Sequence, residues 1–243
     1  MGKARVTFRP PLWATALLVV TCALFILAGR WQLGRAQEKR ALFAAWDAGA
    51  STTALAGPLT DTDAQQSRYR ILRLTGHYDA AHQILLDNIV HDGKPGYEVL
   101  TPLITDGGAV LVNRGWLPAA ADRNVLPDIT VSGEPRAVTG QIDRLARPGI
   151  VLTAPPATDS APWPRRLLFP TAAEIAAQLG YPVHDYQLKL LVSEADGFIR
   201  DWGPDVMTPE THLGYAIQWF SFAAAVVAIY VAVNLKRTKS EIQ

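Results

Sequence analysis

Apolar residues are spread unevenly along this chain, with one long unbroken run near each end and only short, interrupted runs between them. Residues 11–28 (PLWATALLVVTCALFILA) and 213–235 (LGYAIQWFSFAAAVVAIYVAVNL) contain no charged side chain. A run of about 18 or more such residues satisfies its backbone in hydrocarbon only as a helix crossing roughly 30 Å. Two crossings put both chain ends on one side of the bilayer and everything between on the other. Residues 31–48 carry Leu42, Phe43 and Trp46 at helical spacing, which predicts that the first helix continues beyond the membrane. Gly49 with Ser51-Thr52-Thr53 predicts its end.

The rhythm then becomes that of short extended segments. Apolar and polar positions predict strands at 70–78, 82–90, 98–105, 109–116, 136–144 and 186–192. Asp106-Gly107-Gly108 is a hairpin signal between two of them, and HDGKPG at 91–96 reads as a loop. One helix is marked by Thr171 as N-cap, Glu174 as its capping-box partner and Gly180 as its stop. The expected fold class is a membrane protein. Two transmembrane α-helices, N- and C-terminal, flank a mainly antiparallel β (α+β) extracytoplasmic domain built as an open sheet or partly closed barrel. The expected boundaries are a tail at 1–10, a span at 11–29, a helical extension at 30–49, the β-rich domain at 50–210, a second span at 211–235 and a tail at 236–243.

Charge assigns the sides. Lys3, Arg5 and Arg9 precede the first span, and Lys236, Arg237 and Lys239 follow the second. Basic clusters stay cytoplasmic. Arg30, Arg35, Lys39 and Arg40 make the first span ambiguous, but near the second only Arg200 stands on the other flank, among Asp201, Asp205 and Glu210. Both termini are therefore expected in the cytoplasm. Arg30-Trp31 follows the first run without an A-x-A site, and Thr21 fits poorly before Cys22 for lipoprotein cleavage, so the first span is expected to remain as an anchor. Cys22 is the only cysteine, which excludes a disulfide or a cysteine-based metal cage in the domain. No like-charge block suggests nucleic acid. No Mitochondrion-type Arg- and Ser-rich presequence precedes the span, which points to a bacterial plasma membrane.

Candidate chemistry is sparse. The chain has no G-x-S-x-G, S-x-x-K, C-x-x-C, H-E-x-x-H or phosphate-cradling glycine loop, and no enzyme activity is expected. His77, His82, His91 and His184 fall in turns and strands without a ligand spacing. His212 stands apart, one residue before the second uncharged run. At about 100° per residue, Ala216, Trp219 and Ala223 share its helix face and Tyr215 lies near it. Gln218 is a polar amide at nearly the depth of Trp219 and should want a partner. A flat macrocycle with its iron on the imidazole would suit that face, with Arg30 pairing the carboxylates and Trp31 and Gln32 at the same membrane level. On geometry alone, ordinary helix-to-helix packing suits that face better.

Three stretches change the balance: GRWQLGRAQEKRAL at 29–42, PGYEVLTPL with LVNRGWLP at 95–103 and 111–118, and THLGYAIQWF at 211–220. Together with the paired spans they resemble the surfeit-locus (SURF/Shy) family of cytochrome c oxidase assembly factors, over nearly the whole chain. The resemblance implies an assembly factor for haem-copper terminal oxidases that binds haem a through His212 and presents it to the catalytic subunit. Tyr215, Gln218 and Trp219 match the same motif, and haem a synthase is the implied donor. Asn113, Arg114, Gly115 and Trp116 match an external motif, to be read as a structural turn or a partner contact. The competing expectation is a membrane scaffold that stabilises an oxidase assembly intermediate without touching haem.

Overall fold

The computed structural model describes residues 5–145, 162–204 and 206–238; the outermost tail residues lie outside them. In chain order the elements are β1 (Arg5–Phe8), α1 (Leu12–Ala50), β2 (Leu55–Ala56), α2 (Asp61–Gln66), β3 (Ile71–Tyr78), β4 (Ile84–His91) and β5 (Lys94–Thr105). Then follow β6 (Gly108–Pro118), β7 (Arg136–Asp143), β8 (Arg165–Leu167), α3 (Ala172–Leu179), β9 (Val183–Leu190), α4 (Pro209–Asn234) and β10 (Leu235–Thr238). The chain divides into two compact units: Met1–Ala44 with Pro204–Gln243, and Ala45–Gly203.

The first unit is an antiparallel helix pair. On α1 the sheltered positions are Thr15, Leu18, Cys22, Phe25, Gly29, Gln32 and Ala36; on α4 they are His212, Ala216, Trp219, Ala223, Val226 and Tyr230. Both series alternate steps of three and four, the spacing that keeps one seam facing a partner helix. Beyond that seam Leu17, Val20, Leu24 and Leu27 on α1 and Ile217, Ile229 and Val233 on α4 are exposed. The two helices have mean hydropathy of 2.3 and 2.0 over their most apolar windows, of which 6% and 11% is buried within the chain. Both are long and apolar enough to cross a membrane, and lipid is the medium that would cover such a surface. Past the ends of the spans, β1 and β10 pair antiparallel from Arg5↔Thr238 to Phe8↔Leu235.

The second unit is β-rich. Its strands run in the order β2-β3-β7-β9-β6-β5-β4-β8. The end of β3 also pairs with β5, His77 with Ile104 and Tyr78 with Leu103, so β3, β7, β9, β6 and β5 close into a ring. Strand β5 manages this by giving the first part of one edge to β4 and the last part to β3. Closure brings two backbones together at Gly76, where a Cβ would stand 2.2 Å from the Ile104 carbonyl oxygen. Only glycine fits there. Most pairings are antiparallel; β2–β3, β4–β8 and β6–β9 are parallel. Leu72, Leu74, Leu103, Val110, Val112, Val138, Ile142 and Leu188 fill the ring. Each fully buried side chain of this size contributes about 1.5–3 kcal/mol relative to exposure. A second cluster, with Ile84, Leu100, Leu111 and Ile175, holds α3 against the outside of the sheet.

The helix expected from Thr171, Glu174 and Gly180 forms with a complete capping box and a left-handed Gly180. The hairpin expected at Asp106-Gly107 forms between β5 and β6. The loop expected at 91–96 does not. Strands β4 and β5 meet in a turn of Asp92 and Gly93, with φ of 48° and 73°, and pair up to His91↔Lys94. Asp-Gly supplies the two positive φ values that such a turn requires, and the Pro95 that suggested a loop sits at the start of strand β5.

The chain enters and leaves this unit beside one ion pair. Buried Asp143 accepts from Lys189 at 3.0 Å and from Arg68 at 2.8 Å. The Lys189 ammonium lies 5.1 Å from the Trp46 ring centre and 5.5 Å from that of Trp202. Two rings and a carboxylate thus replace the water this amine gives up.

Burial pushes the hydroxyls of Tyr78 and Tyr186 up from 10.0 to about 12. Both are neutral when folded, so their contribution is whole below pH 10 and is lost as pH rises through 12, because the unfolded chain releases protons that the fold retains. Urea midpoints of the full-length protein should therefore fall between pH 10 and 12. A Tyr78→Phe/Tyr186→Phe double variant should show a visibly shallower fall.

Candidate functional site

Helix α4 begins where its sequence demands. The Thr208 side chain accepts from the Thr211 N–H as N-cap, Pro209 takes a position that needs no donor, and Glu210 lies in the positive first turn. His212 is thereby fixed one turn inside the helix and on the seam, 7% exposed. Its Nδ1 lies 2.7 Å from Oε1 of Gln32 on α1. A carbonyl oxygen only accepts, so Nδ1 carries a hydrogen, and in the neutral ring Nε2 keeps its lone pair. Nε2 has no hydrogen-bond partner among the described residues.

Below His212 the seam is aromatic, then small. Phe25 of α1 sits 5.7 Å from Trp219 and 5.8 Å from Phe222, centre to centre, and Trp219 meets Phe222 edge-on at 5.9 Å. The Phe220 ring covers Gly29 so closely that a Cβ there would stand 2.7 Å from it. Ala216 and Ala223 are buried. Deeper still, Cys22 Sγ approaches the Ala223 carbonyl, and the Thr15 and Tyr230 hydroxyls bond at 2.6 Å. Protein side chains fill this seam, so a flat ring lying inside it, between the helices, does not fit. From buried His212 an aromatic stripe of Tyr215, Trp219 and Phe222 follows at steps of three and four, with Tyr215 and Phe222 exposed at the edge of the seam.

Of the residues singled out in the sequence, His212, Trp219 and Gln32 come together on the seam. Tyr215 is exposed at its rim, and Gln218, Arg30 and Trp31 are exposed away from it. Gln218 makes no hydrogen bond among the described residues; the amide that finds a partner is Gln32 instead. Phe25 and Phe222 were missed, because an isolated aromatic in a long apolar run carries no signal until the facing helix is in register.

Asn113, Arg114, Gly115 and Trp116 lie in β6 and turn inward. The Asn113 amide donates to Glu98 at 2.7 Å and to Gln187 at 3.2 Å, and its oxygen accepts from the Gly115 N–H. Arg114 is 2% exposed, and its guanidinium donates to the carbonyls of Asp196 and Ile129 and to Gln83 Oε1, each at 2.8 Å. Burial pulls its pKa down, and carbonyl dipoles with the Phe198 ring, 5.0 Å away, surround it. Gly115 has φ 116° and Trp116 bridges to Ile199 through both backbone groups, while the indole N–H donates to the Ile89 carbonyl at 2.9 Å. Every member of this motif makes contacts inside the domain. The other histidines have local partners: His82 with Asp79, His91 against Trp116, and His184 with Asp61; His77 is exposed on β3.

Comparison with known proteins gives a consistent picture. A family model described as the SURF1 family matches residues 19–224. An uncharacterised SURF1-like protein of Mycobacterium bovis is 27% identical over 229 residues, covering 91% of this chain and 83% of its own. A SURF1-like protein of Rickettsia bellii is 25% identical over 228 residues, covering 88% and 87%. The cytochrome oxidase assembly protein Shy1 of Saccharomyces cerevisiae is 31% identical over 104 residues, 41% of this chain and 26% of its own.

The tightest point of the inward motif gives a test. A Cβ at Gly115 would stand 2.6 Å from the Ile199 carbonyl oxygen, on a backbone that L side chains avoid. Gly115→Ala should destabilise the protein by about 1–3 kcal/mol from the strained backbone, with the clash adding to it. Urea unfolding of the purified variant measures the loss, and proteolysis should find the segment around Ile199 first.

Proposed function

The chain belongs to the SURF1 family, and from that membership we propose that it is an assembly factor for cytochrome oxidase that carries haem a on its second span. The relative named for this task is the yeast protein Shy1. The observation that carries the haem reading is the state of His212. Its Nδ1 is held against Gln32 Oε1 at 2.7 Å, which leaves Nε2 unpartnered among the described residues at the head of an aromatic stripe. That is the donor arrangement a haem iron accepts from a protein. The ring would lie along Tyr215, Trp219 and Phe222, beside the filled seam.

A carrier has to hold its cargo and also release it, which one axial nitrogen allows more readily than two. The receiving partner is the catalytic subunit of a haem-copper oxidase and the donor is haem a synthase. The basic flanks around residues 3–9 and 236–239 favour a plasma membrane orientation with both termini in the cytoplasm and the β-rich unit outside. The well-filled seam is the specific observation behind the second reading, a scaffold that engages an assembling oxidase through protein contacts alone.

Purification of full-length protein from cells that make haem a separates these readings. Wild type should carry haem a, and His212→Ala should lower its content at least about tenfold, since even altering partners of metal ligands costs about 10- to 100-fold. Colourless wild-type protein that still co-purifies with oxidase subunits would replace the carrier with the scaffold.

A further inference from the structure

We propose that Gln32 is a positioning residue that sets the tautomer of His212 and so presents Nε2 to a haem iron. This rests on the haem reading of His212. The geometry behind it is local. Gln32 lies on the α1 face that meets α4, between Gly29 and Ala36, which are buried in the same seam. Its Oε1 stands 2.7 Å from Nδ1 of His212. No other polar side chain is bonded to that imidazole among the described residues.

A histidine in water prefers its hydrogen on Nε2, the atom an iron would need bare. A carbonyl acceptor inside an apolar seam reverses that preference, because the other tautomer would leave the amide oxygen there without a donor. The contact therefore does two things. It keeps the hydrogen on Nδ1, and it fixes the ring plane with Nε2 on the open side. Polarisation of the Nδ1–H bond toward an acceptor also makes Nε2 a better donor to a metal. On this account Gln32 holds the ligand.

The experiment uses full-length protein in detergent micelles, first without haem and then loaded with haem a. Isotope-labelled histidine reports the tautomer by NMR, and the iron–histidine stretch of the ferrous complex reports the bond. Wild type should hold the Nδ1–H tautomer. Gln32→Leu should move His212 toward Nε2–H, lower the iron–histidine frequency and release haem a about 10- to 100-fold faster. Gln32→Glu keeps an acceptor and should restore the tautomer and raise the frequency. If His212→Ala abolishes haem binding while Gln32→Leu leaves tautomer, frequency and release unchanged, the positioning role is overturned and the carrier reading survives. Faster release from Gln32→Leu with tautomer and frequency unmoved also overturns it, because Gln32 would then only pack. Haem a content unchanged in His212→Ala overturns both.

Discussion

Two polar contacts bracket an otherwise apolar helix seam, and the arrangement of the membrane unit depends on them. The Thr15–Tyr230 hydroxyl pair closes one end and the Gln32–His212 hydrogen bond the other. Between them lie aromatic, alanine and glycine contacts that by themselves would tolerate sliding, because lipid tails are as apolar as the side chains. A hydrogen bond in such surroundings has few substitutes. Shifting either helix by one turn would strand a hydroxyl, an amide or an imidazole against hydrocarbon, so the two contacts fix the register in which every other pair meets. The terminal ribbon of β1 and β10 continues that register beyond the spans.

Much of this was legible in the chain because the relevant signals are local. Uncharged runs define the spans, the Thr171–Glu174 box defines α3, and the face shared by His212, Ala216, Trp219 and Ala223 follows from helical geometry alone. What depends on distant partners was not. The identity of the residue opposite His212 requires the register of two helices nearly two hundred positions apart in sequence. Tyr215, near that face by angle, falls at its exposed rim because α1 is too narrow to cover it. The closure of β3 on β5 depends on Gly76 meeting Ile104, a contact no periodicity announces. The Asp92-Gly93 turn was readable and was hidden only by the proline that follows.

The motif of Asn113 to Trp116 is built into the core of the β-rich unit. Here Arg114 is enclosed by carbonyl oxygens and an aromatic ring, and it ties the strand to the segments around Ile129 and Asp196. Its specificity is that of a core polar network, whose members are costly to change singly. The helix pair, by contrast, offers few polar atoms to its seam, so each of them must be accounted for.

The meeting of Trp46 and Trp202 on one ammonium has a topological consequence. The β-rich unit starts and finishes at the same spot, so to its own fold it is a closed loop of chain with a single doorway. Such a body can be lifted out between residues 45 and 203, or have its ends spliced and new ones cut at a surface turn such as Asp106-Gly107, without rerouting a strand. It also means that a tug on either connecting segment is borne first by Lys189 and its two indoles, before any rung of the barrel feels it.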